Sequence, residues 1–262
     1  MKDKYSDRLG EIQLMHCGDY AKIIEYNSSL DVVVQFQDEH GYICHVEYWN
    51  FKKGHVKNPY HKNKYGGYVG EGKYKSTENR KGTYIYNAWI RMLERSKNKK
   101  FKEKFPAYKD VDCCDEWLCF QNFAEWYEEN YYEVNGQSME VDKDWLHQGN
   151  KIYCPEFCSV VPSIINSCLL THEKTKGNLP IGISKTTGNK YKARISIEGK
   201  RKDLGVYVDL IDALNAYKKA KIDYVKYLAN KYRDVLPKKV YNQMIHFDKR
   251  FEVEFPEYAA IH

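Results

Sequence analysis

Between Leu179 and Tyr232 the spacing of apolar residues changes character once, and no other feature limits the fold of this chain as much. Gly182-Ile183-Ser184, Lys190 to Ile197 and Lys202 to Tyr207 alternate apolar and polar residues as half-buried strands do. Thr187-Gly188-Asn189 and Glu198-Gly199 separate them as turns. From Leu210 to about Tyr232 the period becomes helical, with Ala213, Ala216, Tyr217, Ala220, Tyr224 and Leu228 on one side. The expectation is a three-stranded antiparallel sheet followed by a helix. Strand alternation puts Lys190, Lys192 and Arg194 on one face and Tyr191, Ala193 and Ile195 on the other. Lys185, Lys200, Arg201 and Lys202 extend this basic set, which forms a candidate contact surface for a polyanion.

Charge is distributed in blocks, which the net value of +6 conceals. Residues 1–51 carry four Lys/Arg against nine acids, and residues 52–109 carry seventeen against four. Residues 111–170 carry two against eleven, and residues 174–233 carry fifteen against five. Two basic segments thus flank an acidic one. That pattern favours a polyanionic partner such as double-stranded DNA over a merely solvated surface. The net basic charge argues against DNA mimicry.

The acidic segment holds the most concentrated chemistry. Met139 to Asp144 alternates as a strand, Gly149-Asn150 is a hairpin signal, and Ile152-Tyr153 with Ser159 to Val161 reads as a second, interrupted strand. Pro162 suits a first helical turn, so Ser163 to Leu170 is expected as a short helix carrying Asn166. Asp142-x-Asp144 and a helical amide are hard oxygen donors of the type Mg²⁺ or Mn²⁺ takes.

Elsewhere the reading is coarser. Tyr20 to Ile24, Asp31 to Phe36 and Tyr42 to Val46 are short alternating runs separated by Asn27-Ser28-Ser29 and Asp38-Glu39-His40-Gly41, and predict a small SH3-like β-barrel or a β-cap. Lys52 to Lys81 interleaves Tyr60, Tyr65, Tyr68 and Tyr74 with basic residues, as a linker or a segment that stacks on exposed bases does. Tyr84 to Arg95 predicts a helix with Ala88, Trp89, Met92 and Leu93 inward. Asp115 to Tyr132 predicts a second, whose Trp117, Phe120, Phe123, Trp126 and Tyr127 form a core stripe. Lys238 to His262 can dock on its own domain or on a partner. Eight cysteines lack metal-finger spacing and read as reduced, mostly buried thiols. With 42% apolar residues, no membrane-length apolar run and no signal-peptide core at the start, a cytosolic protein is expected.

Two resemblances sharpen this. Tyr86 to Asn166 resembles the HNH-type homing endonucleases and HNH-like proteins of bacteriophages. The matching residues are Trp89-x-x-Met92-Leu93-x-Arg95, Cys114-Asp115-Glu116-Trp117-x-x-Phe120-x-x-Phe123-x-x-Trp126, Asp142-x-Asp144, Gly149-Asn150, Tyr153-x-Pro155-Glu156 and Cys158. The resemblance implies a ββα-metal module in which Asp142, Asp144 and Asn166 hold Mg²⁺ or Mn²⁺ and Asn150 orients the loop. Where such enzymes place a histidine general base, this chain has Lys143 and Asp144, with His147 further along. Gly182-Ile183, Tyr191-x-Ala193-Arg194-Ile195, Gly199-Lys200, Leu204-Gly205-x-Tyr207 and Asp212-Ala213-x-x-Ala216-Tyr217-x-x-Ala220 resemble the AP2/ERF-type domain, with Tyr191 where tryptophan is usual. This implies a sheet laid in the DNA major groove.

The expected fold is therefore α+β, with a barrel domain over 1–58, a basic linker over 59–83 and an HNH-like module over 84–172. An AP2/ERF-like domain over 178–233 and a tail over 234–262 complete it. The expected function is sequence-specific DNA binding in a bacterial host cytoplasm, with metal-dependent nicking retained or lost. The alternatives are a non-catalytic DNA-binding regulator and a phage counter-defence protein that binds a host protein.

Overall fold

The computed structural model describes residues 8–169 and 179–258. The fold is mixed α+β and divides into two compact units, Met1–Lys100 with Asp115–Glu125, and Phe101–Cys114 with Trp126–His262. Among the described residues no helix is long and apolar enough to cross a membrane.

The first unit begins with a four-stranded antiparallel meander, β1 (Ile12–Leu14), β2 (Tyr20–Ser28), β3 (Asp31–Phe36) and β4 (Ile43–Val46), in that spatial order. Val32, Val34 and Phe36 of β3, which has a strand on either side, are buried in one cluster with Met15, Ala21, Ile23, Phe51 and Val56. Its turns follow the side-chain chemistry of the loop residues. The Ser28 hydroxyl accepts from the amides of Leu30 and Asp31 at 3.2 Å each, and the Asp38 carboxylate accepts from Gly41 at 2.9 Å. The expected barrel does not close, because the sheet ends at β1 and β4. After Val46 the chain turns into the short helix α1 (Tyr48–Lys52), and Phe51 and Val56 pack on Met15, Ala21, Ile23 and Val34. A helix and a loop cover the apolar face that a further strand would otherwise have enclosed.

The tyrosine-rich segment that follows is packed. The Tyr68 amide donates to the Leu118 carbonyl, the Phe120 amide donates to the Tyr68 carbonyl, and the Gln121 side chain bonds both ways with the Tyr74 backbone at 3.0 Å. Tyr60 and Tyr68 lie 5.7 Å apart and both contact His40, so these rings pack together in tilted and edge-on contacts. Gly67 has to be glycine for space, since a Cβ there would stand 2.7 Å from the Trp89 ring. A hairpin of β5 (Thr77–Glu78) and β6 (Lys81–Gly82) leads into α2 (Tyr84–Lys97), which is capped by the Thr83 hydroxyl accepting from the Tyr86 amide. Ala88, Trp89, Met92 and Leu93 are buried as expected, and the Trp89 indole donates to the Trp117 carbonyl at 2.8 Å. The aromatic stripe is core as well. Trp117 sits in a single tight turn, while Phe120, Phe123, Trp126 and Tyr127 follow it on a helix that begins at Phe120.

The second unit includes α3 (Lys99–Lys104) from Phe101 onward, β7 (Asp112–Cys113) and the end of α4 (Phe120–Asn130) from Trp126 onward. β8 (Met139–Asp142) and β10 (Ser159–Pro162) pair antiparallel, with Asp142 opposite Ser159. The interrupted second strand is resolved differently from the expectation. β9 (Ile152–Tyr153) pairs in parallel with β7, and Gly149-Asn150 lies in a long loop without closing a hairpin onto β8. The short helix α5 (Ser163–Asn166) follows, giving the order strand, loop, strand, helix; Leu170, the expected helix end, lies outside the described residues.

Next come β11 (Ile183–Lys185), β12 (Tyr191–Ile197) and β13 (Lys200–Tyr207), a three-stranded antiparallel sheet, and α6 (Leu210–Lys231). The Asp209 carboxylate starts the helix by accepting from the Ile211 amide at 2.6 Å. Ala193 and Ile195 pack against Ala213, Tyr217, Val225 and Leu228 of α6. The tail docks on its own unit. In α7 (Lys238–Ile245) and α8 (Phe247–Glu254), Val240, Met244, Phe247 and Phe251 are buried, and Phe255 and Tyr258 beyond them join the α6 core.

Candidate nucleic-acid interface and acidic loop

Sheet register decides which basic residues share a surface. Ser184 pairs with Lys192, Lys192 with Val206, Arg194 with Asp203 and Ser196 with Arg201, so these residues lie on the face opposite α6. The other face carries Ile183, Ala193 and Ile195, all buried beneath the helix. Lys190 precedes β12 and is exposed, in phase with Lys192. A bulge between Ala193 and Arg194 makes Leu204 the extra residue of β13, and beyond it the alternation resumes.

The predicted basic set therefore divides in two. Lys190, Lys192, Arg194 and Arg201 belong to the outer face. Lys185, opposite Tyr191, Lys200, opposite Ile197, and Lys202, opposite Ile195, have the phase of the helix side and are exposed at the margins of the sheet. Asp203 is the acid within the outer face. Its carboxylate meets Lys192 Nζ at 2.6 Å and Arg194 Nε at 3.1 Å, and the Lys192 hydrogen bond holds its carboxyl below the usual range. Asp203 lies beside both cations and offsets part of their charge.

In the acidic segment, Asp142 is buried at the end of β8 with 6% exposure. Its Oδ1 accepts from the amides of Asp144 and Trp145 at 2.9 and 2.7 Å, turning the chain sharply. Burial, and then the neighbouring Asp144 carboxylate, push its carboxyl up to about 7. Lys143 is also buried, and its ammonium donates to Asp144 Oδ1 at 2.6 Å and to the Asn150 carbonyl at 2.9 Å. Asn150 ties the loop to itself, donating to the carbonyls of Lys143 and Ile152 and accepting from the Ile152 amide at 3.0 Å. Asn166 closes α5 and is half-buried. His147 packs edge-on against Phe157, with ring centroids 4.7 Å apart.

Part of this donor set is already engaged within the loop. Mg²⁺ or Mn²⁺ takes several oxygen donors at short range. Here one oxygen of Asp142 is engaged by two amides, and one oxygen of Asp144 by an internal ammonium. Among the described residues no third His, Cys, Asp or Glu joins Asp142 and Asp144 as a ligand group.

Two residues important to this loop are not apparent from the sequence pattern. Trp145 is fully buried and joins the α6 core through Phe247. Arg250 of α8, 7% exposed, donates to the carbonyls of Asp144 and Trp145. A tryptophan directly after Asp-Lys-Asp is the available signal for the first, whereas nothing local announces the second. The chain matches no protein-family model, no curated protein and no solved structure.

Proposed function

We propose that this chain binds double-stranded DNA through the outer face of the β11–β12–β13 sheet, and that it is a protein of the HNH-like phage type in which binding predominates over cleavage. One observation carries the reading: α6 covers one face of the sheet, and Lys192, Arg194 and Arg201 share the uncovered one. The major groove of DNA admits a β-ribbon and gives each base pair a distinct donor and acceptor pattern. Lysines at the margins supply contacts to phosphate, which position the protein without reading sequence. The likeness of these strands to the AP2/ERF-type domain supports the same mode.

The order β8, loop, β10, α5 supports kinship with HNH-type nucleases. The buried Lys143 ammonium argues against efficient cleavage, because Mg²⁺ or Mn²⁺ at Asp142, Asp144 and Asn166 requires that ammonium to leave. The loop then serves as scaffold, with its own cation in place.

The test is fluorescence anisotropy on duplex DNA across a salt series, with the plasmid-nicking assay in Mg²⁺ and Mn²⁺ run alongside. Arg194→Ala with Arg201→Ala should weaken binding by roughly 1 to 3 kcal/mol for each of the two arginines that reads a base. Unchanged affinity and salt slope in that double variant would remove the sheet as the interface. Fast nicking would overturn the preference for binding.

A further inference from the structure

We propose that Cys17, Asp19 and His61 of the first unit form a three-ligand site for Zn²⁺, with its fourth coordination position open to the adjoining cavity. Cys17 and Asp19 come from the turn between β1 and β2. The Met15 amide donates to the Asp19 carbonyl at 2.8 Å and the Gly18 amide donates to the Met15 carbonyl at 2.9 Å. Gly18, at φ +103°, takes the left-handed backbone that this tight connection requires. His61 arrives from the loop beyond Val56, with its amide bonded to the Asn58 carbonyl.

The three donor atoms already stand near ligand spacing. His61 Nδ1 lies 3.0 and 3.1 Å from the two Asp19 oxygens, Cys17 Sγ lies 3.7 Å from Asp19 Oδ2, and all three ligand atoms fall within 4.8 Å of one another. Ligands of a tetrahedral zinc ion stand roughly 3.3 to 3.6 Å apart, given bonds of about 2.0 to 2.3 Å. A modest adjustment of side chains is enough to admit the ion. Among the described residues this is the one group of three His, Cys, Asp or Glu residues so placed.

The surroundings are those of a supported site. Asn58, 7% exposed, donates to Asp19 Oδ2 at 2.8 Å and to Asp38 Oδ2 at 2.6 Å, which fixes the orientation of the Asp19 carboxylate. Partners of this kind orient metal ligands in known sites. Cys17 and His61 both line a cavity of about 630 Å³ whose wall also includes His16 and His55, with ring centroids 5.0 Å apart. Three protein ligands beside an open cavity leave room for a water or a small anionic ligand, as in open zinc sites. One thiolate, one imidazole and one carboxylate suit Zn²⁺ better than Mg²⁺ or Ca²⁺, which prefer oxygen. The plainer alternative is a His61–Asp19 ion pair with Cys17 as a weak donor, and metal binding distinguishes the two.

The experiment uses the full chain, stripped with a chelator and titrated with Zn²⁺ and with Co²⁺ as a spectroscopic stand-in. One equivalent should bind, with a thiolate-to-Co²⁺ charge-transfer band that disappears in Cys17→Ser, while Asn58→Ala should weaken Zn²⁺ by about 10- to 100-fold. In the unaltered protein, Zn²⁺ should also slow alkylation of Cys17 selectively over Cys44 and Cys114, a readout that survives even where a variant folds poorly. Absence of stoichiometric binding, a Co²⁺ spectrum unchanged in Cys17→Ser, or equal alkylation of the three thiols would overturn the site. None of these readouts involves DNA, so they stand or fall apart from the binding proposal.

Discussion

Arg250 donates from Nη1 to the carbonyl of Trp145 at 2.9 Å, joining positions 105 residues apart in the chain. Its Nη2 meets the Asp144 carbonyl at 3.0 Å, and its guanidinium lies 5.3 Å from the centre of the Trp145 ring. The last long helix of the described chain thus sets the acidic loop from behind. Arg250→Ala leaves two carbonyls without their donor in a buried place, and should cost roughly 2 to 4 kcal/mol. Urea unfolding checks this, and a change below about 0.5 kcal/mol would mean that the loop holds its shape unaided.

Asp142 gives a pH signature. Its carboxyl rises from 3.8 in the unfolded chain to about 7 in the fold, chiefly through burial and then through Asp144. The folded state thus favours the protonated form. Stability from this group is fully present below about 3.8 and is lost as pH rises through about 7. Asp142→Asn removes that dependence. Relative to wild type, the variant should gain stability between pH 4 and pH 8, measured as the difference in urea midpoints. A difference that stays flat with pH would show that the two amide bonds, together with Lys143, keep Asp142 ionised throughout.

Lys143→Ala takes the internal cation out of the acidic loop. Calorimetry should then detect Mn²⁺ binding tighter than that of wild type, and a further Asp144→Ala should abolish the gain. Should wild type bind Mn²⁺ as tightly as the Lys143→Ala protein, the ammonium is not the obstacle described above.

On the DNA-binding reading proposed above, Asp203→Asn should act in the opposite sense to removal of an arginine. It frees Lys192 and Arg194 from a shared carboxylate on the outer face. Affinity for any duplex should rise, and the slope of log K against log salt should steepen by about one unit. Sequence preference should fall, because the added affinity is electrostatic and independent of base identity. A drop in affinity would place Asp203 among the contacting groups themselves.

Local pattern read the second unit well where pairing is local. The strands around Tyr191 to Tyr207, the inward Ala193 and Ile195 and the helix from Leu210 all lie where alternation and helical spacing put them. The inward faces of α2 and of the aromatic stripe were equally legible. Pairings between distant segments were not. Ile152-Tyr153 reads as a continuation of its own neighbourhood, yet its partner is Asp112-Cys113, which no local period announces. The barrel expectation failed for a related reason: strand signals count strands, while closure depended on Phe51 and Val56 arriving from a helix and a loop. Of the basic set, alternation put Lys192 and Arg194 on one face, but Lys200 and Lys202 were grouped with them although their pairing with Ile197 and Ile195 gives them the other phase, and the bulge at Ala193/Arg194 that sets the phase of β13 left no mark in the sequence.

The contact between Arg250 and Trp145 also has a temporal side. During synthesis the loop after β8 leaves the ribosome 105 residues ahead of its clamp, an interval of roughly 5 to 20 s at about 5 to 20 residues per second. Throughout that interval the indole of Trp145 can meet Val161 and Ile165 of its core but has no Phe247 to pack on. The acidic loop is therefore among the last parts of the second unit to mature, and a ribosome stalled before α8 would display it in an unfinished form.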